Sequence, residues 1–107
     1  MNEALIANLR AQCGGPRDGA LLRFSLGNAL LTAGDAAAAA VEFRKTVAFD
    51  PNYSAAWKLL GKACLSLDDK AGAADAWRQG ITVAQSRGDK QAEKEMTVFL
   101  RRAEKQE

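Results

Sequence analysis

The sequence predicts an all-α protein, a stack of antiparallel helix pairs with six helices in one domain over residues 1–107. Three observations carry this. The chain resembles itself at an offset of 34 residues: Leu26, Gly27, Ala29, Leu31, Asp35, Ala37, Ala39, Ala40 and Arg44 recur as Leu60, Gly61, Ala63, Leu65, Asp69, Ala71, Ala73, Ala74 and Arg78. That length suits one helix-turn-helix unit, which buries its apolar face only by stacking on a neighbour. Alanine is abundant, β-branched residues are sparse, and only Pro16 and Pro51 interrupt long stretches, so propensity and period agree on helix. A chain of 107 residues buries roughly 65% of its unfolded surface, enough for one core and too little for two.

Each element follows from its stripe and its stops. Residues 2–12 form a short helix with Leu5, Ile6 and Leu9 on one side, ended by Cys13-Gly14-Gly15-Pro16. Asp18 is placed to cap the next helix, where Leu22, Leu26, Ala29, Leu30 and Ala33 carry the three-and-four spacing from Gly19 to Ala33. Gly34-Asp35 turns the chain into a helix from Ala36 to Phe49, and Pro51 forbids its continuation. Ser54 then starts a helix to Leu67, Asp68-Asp69 turns, and a partner runs from Lys70 to Ser86. Gly88 breaks it, and Asp89 caps a last helix to Glu104 with the stripe Ala92, Met96, Phe99, Leu100 and Ala103.

The charge balance narrows the function. Fifteen basic and thirteen acidic residues leave +2 with the signs interspersed, which argues against nucleic acid or a membrane surface as partner. No apolar run approaches the roughly 18 residues of a membrane span, and the first residues carry no cationic leader, so a cytoplasmic location is expected. Histidine is absent, which removes the commonest proton-transfer group, and neither Cys13 nor Cys64 has the basic partner of a nucleophile. Two cysteines without histidine make no usual zinc set, so no metal, no cofactor and no enzymatic activity are expected. Cys64 falls on a buried face as a small apolar packer, and Cys13 reads as an incidental thiol at a helix end.

The motif Trp57-x2-Leu60-Gly61-x2-Cys64, followed by Ala73-x3-Trp77, resembles the tetratricopeptide repeat family, as does Arg23-x2-Leu26-Gly27-x2-Leu30 with Ala39-x3-Phe43 and Pro51. Each position has a physical reason. Gly27 and Gly61 let paired helices approach, Ala39 and Ala73 keep the crossing small, and Phe43 and Trp77 fill the gap to adjacent helices. The departures are Arg23 for an aromatic, Leu30 and Cys64 for tyrosine, and Gln85 for proline, with a junction before Gly88 one residue longer than strict phase. The resemblance divides the chain into an N-terminal half-repeat helix at 2–12, repeats at 20–53 and 54–87, and a capping helix at 89–104. It implies a right-handed superhelical stack.

The resemblance further implies a non-catalytic interaction module that holds a peptide or partner protein on a concave face lined by the first helix of each repeat. That face would present Leu21, Phe24, Asn28 and Leu31, then Lys58, Lys62 and Leu65, with Lys90 and Lys94 extending it. Phe24 is read either as a binding hot spot or as packing for the first helix, and Arg23 either as an ion-pair partner or as a coat on the helix surface. Lys58 and Lys62, one turn apart, are either solvated surface or a cationic ridge for an acidic or C-terminal carboxylate group. Similar proteins that clamp the C-terminal carboxylate of cytosolic chaperones use a lysine and an asparagine one turn apart, a second asparagine, and a further lysine and arginine. Asn28 matches the first asparagine, but Phe24 stands in place of its lysine and Leu59 in place of the second asparagine, so that clamp is not expected. A monomer is expected because the last helix is heavily charged; the alternative is a self-associating structural module using exposed helix ends.

Overall fold

The stops marked in the sequence each separate two helices in the computed structural model, which describes residues 2–105. The helices are α1 (Glu3–Gln12), α2 (Ala20–Thr32), α3 (Ala36–Phe49), α4 (Ser54–Ser66), α5 (Lys70–Arg87) and α6 (Lys90–Lys105), with no strand among the described residues. Each packs on the next in the chain. In addition α2 touches α4 and α4 touches α6, whereas α3 and α5 do not meet. The layer of α2, α4 and α6 is therefore drawn together and the opposite layer splayed, which bends the stack toward these three helices. The body measures 39 × 28 × 18 Å, and its thinnest dimension is that of two helix layers.

The repeat is visible as paired core positions. Leu26 and Leu60, Ala39 and Ala73, Ala40 and Ala74, and Phe43 and Trp77 are all buried. The Phe43 ring crosses α2 at Gly27, where an added Cβ would lie 2.7 Å from it; the Trp77 indole crosses α4 at Gly61 in still closer contact. The indole N–H donates to the Lys58 carbonyl at 3.1 Å, so a full-sized aromatic is buried with its polar edge satisfied.

Capping also repeats. Asp35 accepts from the Ala38 N–H at 3.1 Å and Asp69 from the Gly72 N–H at 2.9 Å, each at the start of the second helix of a pair. Asp89 does the same for α6 through the Ala92 N–H at 3.1 Å. Each such cap contributes about 1 kcal/mol. The turn before the cap needs a left-handed residue. The first pair supplies Gly34 (φ 90°), and the second has Asp68 (φ 60°) at the equivalent place, a position aspartate tolerates better than most side chains. With Gln85 where the first pair has proline further on, α5 runs 18 residues against 14 for α3, and it ends on Gly88 at φ 71°.

Two local expectations are corrected. Asp18 does not cap α2: Gly19 occupies that place without a side-chain bond, and Asp18 turns instead to Arg23. Arg23 Nε and Nη2 donate to the two Asp18 oxygens at 2.8 and 2.9 Å, Nη1 donates to Glu42 on α3 at 2.9 Å, and Asp18 also accepts from the Gly14 N–H at 2.8 Å. The residue standing in for the motif's aromatic thus ties the α1–α2 loop to two helices by charge. Ser54 begins α4 without capping it; the Trp57 indole N–H, donating to the Pro51 carbonyl at 2.8 Å, fixes the chain's entry.

The Arg23 hydrogen bonds, with that from Gly14, hold the Asp18 carboxyl far below the usual carboxylate range. A depressed native pKa means the unfolded chain binds the proton first, so this stabilisation is complete well above the ordinary carboxyl value of 3.8 and fades as the pH falls below it. Asp18→Asn is expected to lower the melting temperature at pH 7 and to flatten its decline below about pH 4, measured by thermal circular dichroism across an acid series.

Candidate functional site

The inner layer of α2, α4 and α6 positions the residues singled out in the sequence. Phe24 leaves α2 three residues before the buried Gly27 and lies against Tyr53 at the entrance to α4, with ring centroids 4.9 Å apart and planes at 29°. It also meets Phe43 at 5.9 Å, so the ring is half-buried and held on two sides. Its remaining edge lines a depression of about 450 Å³ between α1 and α2, together with Leu5, Leu9 and the exposed Asn28. Phe24 is thus held by Tyr53 and Phe43 and forms one wall of an open depression that faces α1. Leu5, 49% exposed, keeps the other wall apolar.

Lys58 and Lys62 sit in the equivalent places on α4, but they lean on α6. Lys58 Nζ lies 3.5 Å from Glu95 Oε1, and both line a second depression of about 190 Å³ with Ser54, Ala55 and Ala92. Lys62 Nζ stands 4.8 Å above the centroid of Phe99, a cation-π contact. Phe99 in turn packs on Trp77 at 5.5 Å, so the lysine is linked to the core through one ring. Leu31 is half-buried against the core, while Leu21 and Leu65 are 69% and 38% exposed.

The structure does not bring all of these together. Phe24 and Asn28 border the depression at α1, and Lys58 borders the one at α6. Lys90 and Lys94 line neither, facing a third depression on α6 with Thr97, Val98 and Arg101. Sequence reasoning missed Tyr53, Leu5 and Glu95. Leu5 belongs to the apolar stripe of α1, and its exposure follows from α1 packing on α2 alone. The pairings of Tyr53 and Glu95 depend on how helices far apart in sequence cross, for which the sequence carries no local signal.

Cys64 is buried, 3.6 Å from Arg44 Nη2, and burial pushes its thiol pKa up, as suits a packing residue. Among the described residues no group of His, Cys, Asp and Glu has the proximity of a metal site. No helix among them is long and apolar enough to cross a membrane.

Antiparallel helix pairs, stacked so that each contacts its sequence neighbours and the first helices form one inner layer, define an α-helical repeat protein. The comparisons agree. The chain is 58% identical over 88 residues to the TPR repeat-containing protein PA0015 of Pseudomonas aeruginosa, a match covering 82% of this chain and 84% of that protein. Its fold is similar to the solution structure of protein BPP2914 from Bordetella parapertussis, with a TM-score of 0.82, 43% identity and coverage of 97% and 90% of the two chains. It is similar too to a tetratricopeptide repeat domain protein from Salinibacter ruber, with a TM-score of 0.77, 32% identity and coverage of 86% and 92%. No protein-family model matches. The chain belongs to the tetratricopeptide repeat family, which points to a protein–protein interaction module.

Proposed function

We propose that the chain is a non-catalytic, cytoplasmic, monomeric module that binds a peptide or partner protein along the inner face of α2, α4 and α6. The observation that carries this reading is the Phe24 wall: a half-buried aromatic, stacked on Tyr53 and so fixed in place, opens with Leu5 and Leu9 onto a depression beside the exposed Asn28 amide. A rigid aromatic beside an open polar group suits a binding hot spot, because little side-chain entropy is lost when a ligand docks. Lys58 and Lys62 lie at the same positions one repeat on, and they suit an acidic or C-terminal carboxylate group at the other end of the ligand. Leu21, Leu31 and Leu65 supply apolar surface along the way.

The test is selection of peptides from a random display library on the immobilised protein, followed by amide chemical-shift mapping of the best binder. Shifts centred on Phe24, Asn28, Lys58 and Lys62 are expected, and Lys58→Gln with Lys62→Gln should weaken that peptide about tenfold without lowering the melting temperature by more than a few degrees. Shifts confined to α3 and α5 would place binding on the outer layer. Concentration-dependent sedimentation without peptide would favour the self-associating module instead.

A further inference from the structure

We propose that the outer face of α6 is a second docking surface, separate from the inner face, for an acidic protein segment with an apolar residue at its centre. Although the two signs of charge alternate along α6 in sequence, the fold sorts them. Glu93 accepts from Gln85 at 3.1 Å, Glu95 pairs with Lys58 at 3.5 Å, and Glu104 pairs with Arg78 at 3.1 Å, so all three acids are engaged by α4 or α5. Lys90, Lys94, Val98, Arg101 and Lys105 follow at spacings of three and four and form one stripe, with Val98 39% exposed in its middle. Among the described residues, none of the four cations has a carboxylate within ion-pair distance. They border or extend a depression of about 320 Å³ lined by Lys90, Glu93, Lys94, Thr97, Val98 and Arg101.

Lys105 stands in the last turn and complements the negative end of the helix, which accounts for it without a ligand. Lys90 occupies the first turn, where the helix presents its positive end and acidic residues are favoured, so its placement costs stability unless something negative faces it, and Lys94 and Arg101 continue the exposed cationic stripe between the two end turns. Carboxylates spaced along the stripe would offset that cost, and an apolar side chain between them would cover Val98. A second copy of this chain fits poorly: two α6 faces repel, and the exposed side of α1 offers Glu3 against Arg10. A nucleic acid fits less well than an acidic peptide, because no aromatic lies on the stripe for a base to stack on and an apolar residue interrupts it.

The probe is a fluorescein-labelled amphipathic peptide of about 16 residues, the length that matches the stripe at 1.5 Å per residue, carrying glutamates around one central leucine. It is compared with the same peptide carrying glutamine for glutamate, and with a single-stranded DNA of similar length. Saturable binding is expected for the acidic peptide at low salt, with amide shifts at Lys90, Lys94, Val98 and Arg101 and affinity falling as salt is added. Lys94→Gln with Arg101→Gln should weaken it at least about tenfold while the melting curve is kept. Equal binding of the glutamine peptide, shifts at Lys58 and Lys62 instead, tighter binding of the DNA, or no binding at low salt would each overturn the proposal. None of these results decides the inner-face reading, which the display selection tests on its own.

Discussion

Gly61→Leu is expected to abolish folding, and Gly61→Ala to destabilise the protein by about 1–3 kcal/mol, the usual cost of overpacking. A Cβ at this position would overlap the Trp77 indole at Nε1, Cε2 and Cδ1, in contact too close for real atoms. The neighbour cannot give way. Trp77 is 1% exposed, its N–H is held by the Lys58 carbonyl, and Phe99 packs on its ring. The gain in helix propensity from glycine to alanine, about 1 kcal/mol, offsets part of the cost for alanine and leaves leucine's larger clash unanswered. Circular dichroism on both variants checks the expectation. An unchanged melting temperature in Gly61→Ala would show that α4 and α5 can separate locally, contrary to the packing described.

Removing residues 89–107 is expected to cause aggregation. Met96 is fully buried and Ala103 nearly so, both on the surface that α6 turns toward α5. Burial of Met96 alone contributes about 1.5–3 kcal/mol, set against a total of about 5–15 for a domain. The truncation would also bare the Trp77 ring and the apolar side of α5, leaving a patch that monomeric proteins seldom expose. Sedimentation and thermal melting of the truncated chain provide the measurement. A monomeric product as stable as the full chain would make α6 a dispensable tail.

Much of the fold was legible because repetition turns a weak local signal into a strong one. A glycine within a helix says little, but Gly27 and Gly61, each paired with an aromatic 16 residues later at Phe43 and Trp77, specify two equivalent crossings. Asp35 and Asp69 were legible for the same reason. Asp18 had no repeated counterpart, and a rule about neighbouring residues assigned it to the nearest helix start, while the winning interaction was a charge-assisted fork completed by Glu42, 19 residues beyond Arg23. The inner-face lysines were placed on the right helix, yet their engagement by α6 was not legible, since it depends on how the last helix crosses α4. The sorting of charge on α6 was hidden by the even mixture of signs along its sequence.

The contact between Lys58 and Glu95 gives the inner face a resident competitor. Glu95 is tethered, so it meets the lysine at an effective concentration of the order of millimolar or higher, and a free carboxylate must displace it to bind there. A lone acidic group at ordinary cellular concentrations would lose that exchange. A ligand that also anchors on the Phe24 wall wins it, because the second contact makes its own carboxylate local to Lys58. Under the inner-face binding proposed above, the ion pair would work as a threshold, rejecting ligands that offer charge alone and admitting those that satisfy both ends of the face.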